Sequence, residues 1–122
     1  IAYENKTEKE YLKALQEITE LDLKALDCVR HIIERDIQKG LLPNYCDGLI
    51  DINTQYNTIG VLGVYETMRA FGYTKQDDFG NTFYTEEAYK FGEKIFKVIH
   101  NTKDLFGIDK DYKINCEAVP AE

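Results

Sequence analysis

Positive charge is scarce in this chain. Fifteen lysines and arginines stand against 22 aspartates and glutamates, a formal charge of −7 over 122 residues. A nucleic-acid backbone binder needs a basic stripe, so no nucleic acid is expected as a partner. The same deficit disfavours an anionic membrane surface. A ligand carrying several phosphates must be met by local cations or backbone N–H groups that offset the field. Long apolar runs are missing too: none approaches the ~20 residues of a membrane span. The opening residues lack the basic region and apolar core of a secretory leader. Cysteine is sparse, and Cys28, Cys46 and Cys116 are an odd number at irregular spacings. They do not read as a disulfide framework, and a reducing cytoplasm is the expected compartment. There is no internal repeat and no low-complexity tract. What remains, 43% hydrophobic and 30% charged residues, is ordinary for one soluble globular domain.

Thr7-Glu8-Lys9-Glu10 forms a capping box, in which Thr7 accepts from the backbone three residues on and Glu10 reaches back. Behind it Leu12, Leu15, Ile18, Leu21, Leu26, Val29, Ile33 and Ile37 recur mostly three or four apart, the helical period. This predicts a helix over about residues 8–39, with Val29 on its buried stripe and Lys39-Gly40 at its end. At ~1.5 Å per residue it would span roughly 48 Å. A compact chain of this length has a radius of gyration of ~14 Å, hence a diameter near ~35 Å. Either the helix breaks, near Leu21-Asp22-Leu23, or the chain belongs to a larger body.

Residues 41–48 read as a turn, with Pro43, Asn44, Asp47 and Gly48. Residues 49–52 are short, apolar and β-branched, and are expected to form a strand; residues 56–59 are a second. Residues 61–71 read as a short helix closed by Gly72, and residues 77–81 as a polar loop. Thr85 caps a third helix to about Lys103, with Ala88, Phe91, Ile95, Val98 and Ile99 inward. Residues 112–117 look like a third strand. The alternation points to βαβ units and a mostly parallel sheet.

Gly60-x-x-Gly63 lies where a strand runs into a helix. It lacks the further glycine and acidic residue of a dinucleotide fingerprint, and no Gly-Lys-Ser/Thr follows as in a phosphate loop. Close helix–strand packing is the simpler reading, and an anion met by backbone N–H groups is the functional one. Cys28 and His31 share a helical face, and Cys46 and His100 would have to complete any metal set. The spacings match no zinc module, so no metal is expected. Asp51 and Glu66 lie near the glycines, where hydrogen-bonding or capping roles are favoured over acid–base chemistry. Tyr45, Tyr56, Tyr65, Tyr84, Tyr89 and Tyr112 are expected to pack their rings and turn their hydroxyls to water.

Four segments in order carry a resemblance: Leu41-Leu42-Pro43-Asn44-Tyr45; Gly48-Leu49-Ile50-Asp51; Thr58-Ile59-Gly60-Val61-Leu62-Gly63-Val64-Tyr65-Glu66; and Asn115-Cys116-Glu117-Ala118-Val119-Pro120-Ala121-Glu122. Together the chain resembles the anaerobic (class III, glycyl-radical) ribonucleoside-triphosphate reductases, over essentially its whole length. Ile1-Ala2-Tyr3-Glu4 looks like the end of a strand of that family. The resemblance implies that residues 1–122 are a single segment of a ten-stranded α/β barrel. It implies a long N-terminal helix, a few short strands and two further helices.

The same resemblance implies reduction of ribonucleoside triphosphates by thiyl and glycyl radical chemistry for DNA synthesis. It places Thr58, Gly60, Gly63, Pro120, Ala121 and Glu122 at the substrate, and assigns no catalytic residue to this chain. The thiyl cysteine is expected upstream, leaving Cys116 as a buried small apolar residue. For the full-length family it implies formate or a thiol as reductant, ATP and deoxynucleotide effectors and a structural zinc. A radical S-adenosylmethionine activase and a homo-oligomer are the implied partners, and the segment alone is expected to be inactive. Two rivals stand beside this reading: another glycyl-radical enzyme, or a helical interaction module docking through the long amphipathic helix. A bare apolar face would favour a segment of a larger body over an autonomous module.

Overall fold

The computed structural model describes residues 1–119. Helix α1 (Glu8–Gln38) runs unbroken, so the size mismatch is not relieved by a kink near Leu21. Both halves of the capping box form: Thr7 Oγ1 accepts from Glu10 N at 3.2 Å, and Glu10 Oε2 accepts from Thr7 N at 3.1 Å. Residues 2–4 are a turn, not a strand end. Residues 41–48 include a short helix α2 (Pro43–Cys46). The strand expected over residues 49–52 is not there. Asp51 accepts from Asn53 N at 2.9 Å and caps a single 3₁₀ turn (Ile52–Thr54), because a short side-chain acceptor offers the backbone a local alternative to pairing.

Strand β1 (Asn57–Val61) follows, then helix α3 (Val64–Ala70). A hairpin of β2 (Thr74–Gln76) and β3 (Thr82–Tyr84), absent from the sequence reading, flanks the polar loop of residues 77–81. Helix α4 (Glu86–Gly107), capped by Thr85, outlasts its expected end at Lys103. Strand β4 (Ile114–Ala118) closes the described chain.

Strands β1 and β4 pair in parallel, as the alternation suggested, and α1 and α4 pack on each other and on this sheet. Phe91, Ile95, Ile99 and Ala88 of α4 meet Leu23 and Tyr11 of α1, Met68 of α3 and Ile59 of β1. Tyr11, Phe71, Tyr73 and Phe91 form an aromatic cluster, with Phe71 and Phe91 edge to face at 5.0 Å. The face of α1 differs from expectation. Leu23 is 1% exposed, whereas Val29 is 52% exposed. The fully buried positions of α1 include Thr19 and Arg30, which the apolar spacing passes over. Thr19 donates to Leu15 O at 2.8 Å, so burial leaves its hydroxyl satisfied.

Ile18, Leu21, Val29 and Ile32 make a bare apolar stripe on α1. A second uncovered apolar surface is a groove of about 510 Å³ between α3, β3 and α4, lined by Val64, Met68, Tyr84, Tyr89 and Phe96 among others.

Candidate functional site

The parallel pair sorts its side chains by alternation. The register sets Asn57 against Ile114, Ile59 against Cys116 and Val61 against Ala118. Ile59, Val61, Ile114 and Cys116 pack against the helices. Thr58, opposite Asn115, and Gly60, opposite Glu117, therefore occupy the other face, which no described helix covers. Asn115 Nδ2 donates to Glu117 Oε1 at 2.5 Å, and its Oδ1 accepts from Cys116 N at 2.7 Å. The result is a polar strip of a hydroxyl, a carboxamide and a carboxylate beside a glycine gap.

Gly60 has a defined structural reason. A Cβ there would lie 2.9 Å from Val119 Cγ2. The missing side chain lets Val119 lie across β1, where its N–H donates to Val61 O at 3.1 Å. Gly63 adopts φ +81°, the left-handed region that glycine favours, and starts α3. The nearest atom to a Cβ built there is Glu66 Oε2, at 3.8 Å. Gly60 and Gly63 thus lie at or just beyond the end of β1 where Val119 leaves β4, whereas Thr58 stands near the start of the strand, opposite Asn115. Pro120, Ala121 and Glu122 lie outside the described residues.

Other candidates fall elsewhere. Cys116 turns inward, and burial raises its thiol pKa, with Lys103 opposing. Asp51 is occupied by its turn. Cys28 and Cys46 are exposed free thiols. Among the described residues no three His, Cys, Asp or Glu side chains gather so as to hold a metal ion.

Tyr112 departs from expectation most. It is buried, and its hydroxyl donates to Asp27 Oδ1 at 2.5 Å rather than to water. Burial, then the hydrogen bond to Asp27, pushes the phenol well above its ordinary range. The same hydrogen bond holds Asp27 below the usual carboxylate range, helped by Lys110 Nζ at 3.2 Å. Arg30, 4% exposed, sets its guanidinium over the Tyr112 ring at 4.4 Å. Sequence reasoning missed Asn115 and Glu117, although the alternation Ile114-Asn115-Cys116-Glu117 carried the signal.

Helices packed on one face of a parallel strand pair define an α/β protein. The chain belongs to the anaerobic ribonucleoside-triphosphate reductase family, which it matches over residues 1–122. A solved anaerobic ribonucleotide reductase is similar at 38% identity with a TM-score of 0.90, covering 98% of this chain and 19% of its own. The anaerobic ribonucleotide reductase from Thermotoga maritima with citrate in the active site is similar at 39% identity and a TM-score of 0.86, covering 95% of this chain and 21% of that one. In complex with dATP and CTP, the Thermotoga maritima enzyme gives 37% identity and a TM-score of 0.83, covering 90% and 18%. The chain thus spans about a fifth of the length of these structures. No curated protein sequence matches it.

Proposed function

We propose that residues 1–122 are one segment of the catalytic ten-stranded α/β barrel of an anaerobic ribonucleoside-triphosphate reductase, and that the uncovered face of β1 and β4 meets the ribonucleotide. The observation that carries this reading is the polar strip of Thr58, Asn115 and Glu117, which runs along the pair past Gly60 toward the end where Val119 departs. Its support is geometric. Helices cover one face of the sheet, and in a barrel the opposite face looks inward, toward the strand-end loops that bind ligands. The bare stripe on α1 and the groove by α4 favour a segment of a larger body over a free-standing interaction module. The matches to anaerobic ribonucleotide reductases favour that family over other glycyl-radical enzymes.

In this reading Glu117, held by Asn115, accepts a hydrogen bond from a ribose hydroxyl, and Thr58 supplies a second polar contact. Gly63 leaves room for the substrate beside the backbone, and Gly60 lets Val119 close over β1 next to it. The loop of Pro120, Ala121 and Glu122 meets the phosphates through backbone N–H groups. Only Ala121 and Glu122 have one to donate, since proline has none. Such neutral donors suit phosphates in a chain of charge −7. The radical chemistry, removal of the ribose 3′ hydrogen and loss of the 2′ hydroxyl as water, is supplied by a glycyl radical and cysteine outside this segment, with formate or a thiol as reductant. The rest of the barrel, a second copy and a radical S-adenosylmethionine activase are the partners. A cytoplasmic location fits three free cysteines and the absence, among the described residues, of a helix long and apolar enough to cross a membrane.

The test is anaerobic turnover of ribonucleoside triphosphates by the full-length enzyme with its activase. Deoxynucleotide should form, and Glu117→Gln should lower kcat/KM by about tenfold, the scale of replacing a charged hydrogen-bond acceptor by a neutral one. No deoxynucleotide from the intact enzyme would contradict the function. Full activity in Glu117→Gln would remove the face from the site.

A further inference from the structure

Arg30 and Asp27 of α1 grip the chain just ahead of both site strands. Burying a guanidinium is costly unless its donors are satisfied. Here the partners are mostly backbone. Nη1 donates to Gln55 O at 3.2 Å, and Nη2 donates to Ile52 O at 2.9 Å. Nε lies 3.2 Å from Glu34 Oε1, an ion pair too poorly angled to be a hydrogen bond. Ile52 and Gln55 stand five and two residues before β1. The plane of the same guanidinium covers the ring of Tyr112, two residues before β4. Asp27, one turn back, takes the Tyr112 hydroxyl and Lys110. The parallel ladder opens where these segments meet, with Asn57 N donating to Lys113 O at 3.0 Å.

We infer that Arg30, with Asp27 and Tyr112, is a positioning unit for the substrate face: it fixes where β1 and β4 lie along one another. The inference rests on the function proposed above. The physical need is plain. Each strand has five residues, and no tight turn joins them to set their register. A one-residue slip of β1 would turn Thr58 and Gly60 toward the helices and Ile59 toward the substrate, and a slip of β4 would do the same to Asn115, Glu117 and Cys116. A lesser slide would misplace Thr58 against Glu117, and a misplacement of ~1 Å is worth about 10²-fold in rate. Arg30 reaches neither Thr58 nor Asn115: its contacts stop at Gln55 and Tyr112, each three residues short of them, roughly 10 Å at ~3.3 Å per residue.

The experiment uses the full-length enzyme and three variants, assayed where circular dichroism shows each one folded. Arg30→Met removes all donors and keeps the stem. Arg30→Lys keeps a charge over the ring and one donor for a carbonyl. Tyr112→Phe keeps the ring and loses the Asp27 bond, and serves should Arg30→Met not fold. We expect KM for the ribonucleoside triphosphate to rise about tenfold in Arg30→Met and about threefold in Tyr112→Phe, with Arg30→Lys between wild type and Arg30→Met. An unchanged KM in the folded variants, with only the melting temperature lowered, would make the unit purely structural and overturn the inference. A wild-type enzyme that reduces no ribonucleotide would overturn the function itself, and is read from the control before any variant.

Discussion

Gly60→Ala in the full-length enzyme puts a Cβ 2.9 Å from Val119 Cγ2. Carbon atoms prefer about 3.5–4.0 Å, so something must yield by roughly half an ångström or more. Valine is stiff at χ1, and pushing it off its rotamer costs about 0.5–1.5 kcal/mol. The backbone of Val119 is the other route, and it is tied by its 3.1 Å hydrogen bond to Val61 O. Replacing glycine also stiffens the unfolded chain, a gain of about 0.4–1 kcal/mol that offsets part of any stability loss. Stability should therefore change little, while Val119 shifts against β1. A displacement worth about 1 kcal/mol in transition-state binding is about a fivefold loss in kcat/KM. The double variant Gly60→Ala/Val119→Ala removes the colliding methyl. The account predicts that it recovers most of that loss, a coupling of about 1 kcal/mol in a double-mutant cycle. Additive effects of the two substitutions would refute the reasoning.

Two further outcomes concern the frame. Phe91 is 0% exposed and packs edge-on against Phe71 and Tyr11, so Phe91→Ala should destabilise the fold by about 3–5 kcal/mol; an unmoved melting midpoint would show that the core is misplaced. Tyr112 has a folded-state pKa raised above its ordinary 10.0. Its contribution is complete below that unfolded value and is lost as pH rises beyond it toward the folded one. Melting curves from pH 8 upward should fall more steeply above about pH 10 in wild type than in Tyr112→Phe; parallel curves would contradict the buried Asp27 bond.

The long helices were legible because their signals are redundant. Thr7 and Glu10 mark the start of α1, Thr85 caps α4, and Ala88, Phe91, Ile95 and Ile99 repeat at the helical period. The parallel pairing of β1 with β4 followed from the alternation of elements. Three features were misread for distinct physical reasons. The apolar residues of α1 wrap beyond one face, so spacing alone did not separate buried Leu23 from exposed Val29. Residues 49–52 have strand composition, but the Asp51 side chain captures the backbone of Asn53 and turns the chain. The hairpin strands have three residues each, too few for a period-two signal, and the turn between them is built by Asp77 accepting from Phe79, Asn81 N and Asn81 Nδ2. At the candidate site the glycines drew the eye because they are unusual. Asn115 and Glu117 were passed over because polar residues on a strand ordinarily face water. Arg30 lay hidden because a buried charge has no sequence signature of its own.

The most direct measurement is a crystal structure of the full-length enzyme with a ribonucleoside triphosphate bound. The account predicts the ribose over the strip of Thr58, Gly60 and Glu117, with a ribose hydroxyl within hydrogen-bond reach of the Glu117 carboxylate and the phosphates toward the loop after Val119. A ribonucleotide bound on the helix side of β1 and β4, or remote from both strands, would contradict it.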